Sequence, residues 1–328
     1  MHPNPKEAQV NDLYQRVLIA VDGSIQATHA ALYAARILIH EKTKFTLFLV
    51  ENTVPEAFWD NQPNGTEEPG PVKLNGWWEE NHIRYNRKII EKIRTDLIKE
   101  GFSNEAIEVK IRPRRMGIAR DIIRESKKGY DLVVAGRIGH NIHTGAILGN
   151  CARKLISSIT HVPLVIVGGN PDSTGVLIGF DASDGAKNCV RQLKKSITRK
   201  IEKVKICYVS RSLNLMSGSF DPFQASLDSY NTMEQEHQIH HQSRMRPHLQ
   251  KAETILRDAD FDRAGVDSII LRSYLSRSEG LMDEAKKSGY DTVMVGRRGH
   301  SIVEDFLLGR VGDKLVQMGQ DRAIWLVN

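Results

Sequence analysis

Cysteine is scarce in this chain and long apolar runs are missing, and each absence excludes a class of function. The three cysteines, Cys151, Cys189 and Cys207, are odd in number and show no CxxC spacing. That argues against a disulfide framework or a cysteine zinc site and fits a reducing cytoplasm. The strand-like apolar runs are broken by charge within eight residues, too short to cross a bilayer. The N-terminal stretch with Pro3, Pro5, Glu7, Asn11 and Asp12 offers no apolar signal core, so a cytoplasmic location is expected. Charge of one sign is also lacking: the net charge is +6, with acids and bases mixed along the chain. That is too diffuse for a nucleic-acid partner. No catalytic constellation is present either. Asp22 and Ser24 have no histidine tied to them by sequence and read as a strand-end carboxylate with a helix-capping serine.

What is present is a repetition. Gly129-Tyr130-Asp131, Val133 and Gly136-Arg137-Ile138-Gly139-His140 return as Gly289-Tyr290-Asp291, Val293 and Gly296-Arg297-Arg298-Gly299-His300. Upstream, Val17–Asp22 matches Val176–Asp181 at nearly the same offset of about 160 residues. Such a period is too long for a solenoid unit and suits a whole domain. With 328 residues the chain also exceeds the size at which one core keeps growing. Two copies of one domain are expected, over residues 13–169 and 174–328, with the boundary in the breaker cluster Gly168–Asp172.

Within each copy, short β-branched runs alternate with helical patterns. Val17–Val21 is a strand; Ala27, Ala30, Ala31, Ala34, Ala35 and Leu38 follow at helical spacing. The alternation continues to Pro163–Val167 and recurs from Val176 to Val327, which implies α/β domains with parallel sheets covered on both faces. Thr53–Gly76 and Ser210–Ser229 resist the pattern and read as long loops at the carboxyl ends of strands, serving as lids, partner surfaces or plain surface excursions.

Gly136-x-x-Gly139 follows the fourth strand, and Gly149 opens the next helix. Glycines here let the backbone approach a ligand, and a helix N-terminus attracts anions. Arg137, His140 and Asn150 add side-chain donors. Together with Ala20-Val21-Asp22-Gly23-Ser24, this pattern resembles the universal stress protein family in its tandem form. The family pattern is an acidic residue ending strand one and G-x2-G-x9-G-[S/T] after strand four. The resemblance implies two tandem doubly wound domains, each a five-stranded parallel sheet in the order 3-2-1-4-5 with helices on both faces. It also implies binding of ATP or a related adenine nucleotide, with or without Mg²⁺, and slow or no hydrolysis. Carried over by position, Asp22 and Val50 would lie at the adenosine end, and Gly136, Gly139, Gly149 and Asn150 at the phosphates. The second copy offers Asp181, Val209, Gly296, Arg297, Gly299, Gly309 and Arg310. There the expected hydroxyl is replaced by Arg310, which would bring a long charged side chain into the phosphate space, so one nucleotide per chain is expected. The competing reading is a module of the same fold that binds a protein partner and uses no nucleotide.

Three further expectations follow. The halves pack as an intramolecular pseudo-dimer through strand five of each copy, Leu164–Val167 and Ile324–Val327, alone or paired again as a homodimer. Cys151, just inside a helix start, is a packing residue before it is a reactive thiol. His237, His241 and His248 share one face of a long helix with Glu234; histidines four apart can chelate metal with a third ligand, but polar neighbours favour a solvated face and no metal.

Overall fold

The computed structural model describes residues 14–51, 71–139, 148–172, 174–197, 201–211, 227–261, 265–274, 276–299 and 308–328. The first half runs β1 (Gln15–Val21), α1 (Ile25–Ile37), β2 (Thr43–Glu51), α2 (Pro71–Lys99), β3 (Ile107–Pro113), α3 (Ile118–Ser126), β4 (Leu132–Gly136), α4 (Asn150–Ser158) and β5 (Leu164–Val167). The second half runs β6 (Gly175–Gly179), α5 (Asp184–Ser196), β7 (Lys203–Arg211), α6 (Leu227–Leu256), β8 (Gly265–Tyr274), α7 (Arg277–Lys287), β9 (Thr292–Gly296), α8 (Arg310–Met318) and β10 (Ala323–Val327).

The strands alternate their side chains between two cores. Val17, Ile19 and Val21 of β1 join one apolar cluster with α1 and α2, while Leu18 and Ala20 join the other with α3 and α4. Burial on both faces is what near-continuous Val, Ile and Leu in a parallel strand require. Helix α1 starts where Ser24 Oγ accepts the Ala27 N–H at 3.1 Å, the capping role expected for it. The loop expected over Thr53–Gly76 is corrected in its last part: α2 begins at Pro71, since proline suits the first helical position, where its missing N–H is not needed. The rest of that stretch lies outside the described residues.

Hydrogen bonding joins the strands into one ten-stranded sheet in the order β3-β2-β1-β4-β5-β10-β9-β6-β7-β8. Each half contributes five parallel strands. The central pair, β5 and β10, is antiparallel, with Ile166 opposite Ile324 and Val165 opposite Trp325. Strand five would otherwise be an exposed edge, and this pairing removes both edges at once. Both apolar clusters run across the seam. Fully buried Trp325 donates its indole N–H to Tyr33 Oη of α1 at 2.7 Å, and that hydroxyl shares a hydrogen bond with Thr292 Oγ1 at 2.9 Å. Burial pushes the Tyr33 phenol far above its usual range. It acts as a neutral link between the halves.

Candidate functional site

In the first half the chain leaves β1 toward β2 and leaves β4 toward β5, so a crevice opens between the carboxyl ends of β1 and β4. Such a switch point is where open α/β sheets bind ligands. Asp22 ends β1, with its Oδ1 accepting the Ser24 N–H at 3.0 Å. Opposite it, a Cβ on Gly139 would lie 2.4 Å from Asp22 Oδ2, so the β4 loop sits directly against this carboxylate and a larger residue would push the Asp22 side chain aside. Gly136 is equally constrained, because a Cβ there would come within 3.1 Å of Gln26 and Ala27 backbone. The Gly149 N–H donates to Arg137 O at 3.1 Å, tying the start of α4 to the β4 loop.

Of the helix N-termini at this end of the sheet, those of α1 and α4 flank the crevice, and they differ. That of α1 is capped by Ser24, whereas that of α4 has Gly149 at its cap position and no side-chain cap. Uncapped N–H groups carry the positive end of the helix dipole and suit an anion. Asn150 is exposed at this start, and Val50 is buried at the end of β2 on the same sheet face as Ala20. Thus Asp22, Gly136, Gly139, Gly149 and Asn150 converge. His140 lies outside the described residues.

Arg137 does not converge with them. The residue is 2% exposed, and its guanidinium crosses the seam to the last turn of α8. There it donates to Val316 O, to Gln317 O at 2.8 Å and to Gly319 O at 3.3 Å. Burial lowers its pKa to about 10, partly countered by Asp321, so it stays charged at neutral pH. The expected phosphate donor is instead a cap on the partner half's helix, satisfying carbonyls that a helix end leaves open. Sequence spacing carried no signal for this, because the direction of the side chain is set by the seam.

The second half repeats the backbone. Asp181 Oδ1 accepts the Ser183 N–H at 3.0 Å, and a Cβ on Gly299 would lie 2.7 Å from Asp181 Oδ2. The Gly309 N–H donates to Arg297 O at 2.8 Å, α8 starts without a side-chain cap, and Val209 is buried at the matching end of β7. A Cβ on Gly296 would come within 2.8 Å of Gly185 backbone. Arg297, placed by sequence at the anion site, is corrected in the same way as Arg137: it crosses back and donates to Ile156 O of α4 at 2.7 Å. Its Nε and Nη2 are buried without a hydrogen-bond partner, and burial lowers its pKa to about 10. Exposed Arg298 and Arg310 stay on the outside near the start of α8.

The residues 13–168 and 174–318 each match the model of the universal stress protein family. The chain belongs to that family. Among solved structures, this universal stress protein chain is similar to a universal stress protein from Archaeoglobus fulgidus DSM 4304, at 12% identity and a TM-score of 0.59, covering 95% of this chain and 98% of that one. It is also similar to a functionally unknown protein from Pseudomonas aeruginosa PAO1, at 12% identity and a TM-score of 0.51, covering 97% and 94%. These likenesses concern the tandem fold. No curated protein matches the chain.

The remaining candidates sort by geometry. Cys151 packs against the α3–α4 core, and burial, reinforced by Asp22, raises its thiol to about 11 despite the helix start. His237 and His241 meet as tilted rings with centroids 4.3 Å apart, and Tyr208 Oη lies 3.1 Å from His241 Nδ1. Desolvation, then His237, His240, Arg244 and Arg277, hold His241 below its usual pKa. His248 is exposed further along α6, and Glu234 accepts from Gln238 Nε2 at 2.8 Å. Among the described residues, no three His, Cys, Asp or Glu side chains are grouped to hold a metal. No helix among them is long and apolar enough to cross a membrane.

Proposed function

We propose that the first half binds an adenine nucleotide, ATP or AMP, in the crevice between β1 and β4 and serves a regulatory role in the stress response, with slow or no hydrolysis. The observation that carries this reading is the pairing of an uncapped α4 N-terminus with the Asp22 carboxylate, which rests against Gly139. The helix start suits phosphate; the carboxylate suits ribose hydroxyls, as acidic residues do in related nucleotide crevices. Val50 supplies apolar surface on the β2 side. Gly136 and Gly139 keep the loop close to β1, and Asn150 offers an amide donor where the family pattern has a hydroxyl. Family membership supports the reading, and the absence of Arg137 from the crevice leaves the backbone to bind the phosphates.

The second crevice has the same backbone, with Asp181, Val209, Gly296, Gly299 and Gly309, but Arg310 stands at its helix start. One nucleotide per chain is the proposed stoichiometry.

Gly149→Val tests the reading. Gly149 has φ −68° and ψ 150°, angles any residue adopts, so the variant needs no left-handed backbone, and its circular dichroism is compared with that of the unmodified protein. Calorimetry should show ATP affinity at least about tenfold weaker, the scale of one lost charge-assisted contact. Unchanged affinity would refute the site. Steady-state turnover with Mg²⁺ tests the slow hydrolysis, since rapid hydrolysis needs a metal-held, oriented water.

A further inference from the structure

One strand outward from Val50, the first half carries arginines that the second half does not repeat at the matching positions. The end of β3, the loop after it and α3 enclose a cleft of about 290 Å³, with buried Phe48 as its floor. That is at the small end of the range of ligand sites, roughly 300–1,000 Å³. Arg112, Arg115 and Arg124 line it, and all three are exposed. The acids beside them are engaged elsewhere. Asp121 accepts the backbone N–H of Arg115 at 2.9 Å and of Met116 at 3.3 Å, shaping the loop. Glu125 accepts from Lys128 Nζ at 2.6 Å and from Tyr130 Oη at 3.1 Å, with Lys110 Nζ at 3.5 Å. Among the described residues no ion pair engages the three arginines; Arg124 Nη1 has only Met116 Sδ at 3.9 Å.

The duplication provides an internal control. The Glu125–Tyr130 element beneath the cleft recurs as Glu284 and Tyr290, again with a lysine, Lys205, on the glutamate at 2.8 Å. This much the fold uses twice. The arginines are not repeated: Val50 pairs with Arg112, whereas Val209 pairs with Leu271. Counting from the same register, Arg124 is answered by Asp283. The fold therefore does not need the cations, and together with Lys128 they outnumber the two carboxylates, Asp121 and Glu125, that line the same cleft.

We infer that this cleft binds a small, multiply charged phosphate compound, at a site distinct from the nucleotide crevice. Planar guanidinium forks match phosphate oxygens two at a time. Three of them in so small a volume call for the charge density of a di- or polyphosphate, and the size excludes most of a nucleotide.

Inorganic pyrophosphate is the probe, titrated by calorimetry against the full chain and against Gly149→Val, which removes anion binding at the α4 start from the count. In both backgrounds, Arg112→Leu with Arg124→Asp should weaken binding by at least about tenfold, the effect of losing charge-assisted contacts. Leu and Asp are the residues that the second half holds at these positions, so the double variant is compatible with the fold. Should it still fail to fold, Arg115→Gln on the exposed loop decides, with a fall of about threefold or more. No pyrophosphate binding by the wild type, unchanged affinity in the folded arginine variant, or loss of all binding with Gly149→Val alone would each overturn the inference. The last outcome would leave the nucleotide reading intact, while ATP binding unaffected by Gly149→Val would sink that reading without touching this one.

Discussion

Arg137 and Arg297 occupy equivalent positions in the two halves, yet replacing each by methionine should have unequal effects. Arg137 closes three carbonyls at the end of α8, at Val316, Gln317 and Gly319. Methionine keeps the apolar stem and removes the donors. Hydrogen bonds from a charged group contribute roughly 1.5–3 kcal/mol each. Counting the bonds to Val316 and Gln317 and setting aside the longer one, Arg137→Met should lose about 3 kcal/mol or more. Arg297 makes one such bond, to Ile156 O, and buries Nε and Nη2 without partners. Each unsatisfied buried donor costs about 1–3 kcal/mol, so the two together offset the one bond or outweigh it. Arg297→Met should change stability by less than about 1 kcal/mol, and a small gain is consistent with the general finding that apolar replacements of buried charge are often neutral or better. Urea unfolding followed by circular dichroism and by tryptophan fluorescence, to which Trp325 at the seam contributes, is the assay. The midpoint should fall clearly for Arg137→Met and barely move for Arg297→Met, with the slope unchanged. Equal losses would show that pseudo-symmetry, not the count of satisfied donors, governs the seam.

Ala182 sits at φ 63°, where its counterpart Gly23 has φ 84°. Ala182→Gly should therefore stabilise the protein by up to about 1 kcal/mol, and Gly23→Ala should destabilise it by about 1–2 kcal/mol, both read from urea midpoints. Because His241 is held below its usual pKa, the unfolded chain binds more protons just below pH ~6.5. Its contribution is then complete above that pH and is lost as pH falls toward the folded value. His241→Gln should flatten the stability change between pH 7.5 and 5.5, and an unchanged pH dependence would remove His241 as its source. Calorimetric stoichiometry on the unmodified protein should give one ATP per chain; two equivalent sites would show that Arg310 leaves the second crevice open.

The purpose of the glycines was not legible in sequence, since a Cβ on Gly136 would come within 3.1 Å of the α1 backbone and one on Gly139 would meet Asp22, in both cases more than 100 residues away. Their spacing was legible, because it is a short-range pattern. The capping role of Ser24 was legible for the same reason, since a cap bonds three residues along the chain. The start of α2 at Pro71 was less so, because glycine and proline mark both loops and helix starts.

Repeat, alternation and motif by themselves determined two α/β halves, the family, and a strand five whose bare edge had to be covered. These are properties of short segments, written in periods of two and of three to four residues and in turns that only glycine can make. Tertiary structure alone decided where long side chains go. Arg137 and Arg297 stand beside the anion motif in sequence but reach across the seam, because the antiparallel pairing of β5 with β10 brings the opposite helix ends within their length. The arginine cleft is also a tertiary feature: Arg112 and Arg124 lie on consecutive elements, and the packing of α3 over the end of β3 brings their charges together.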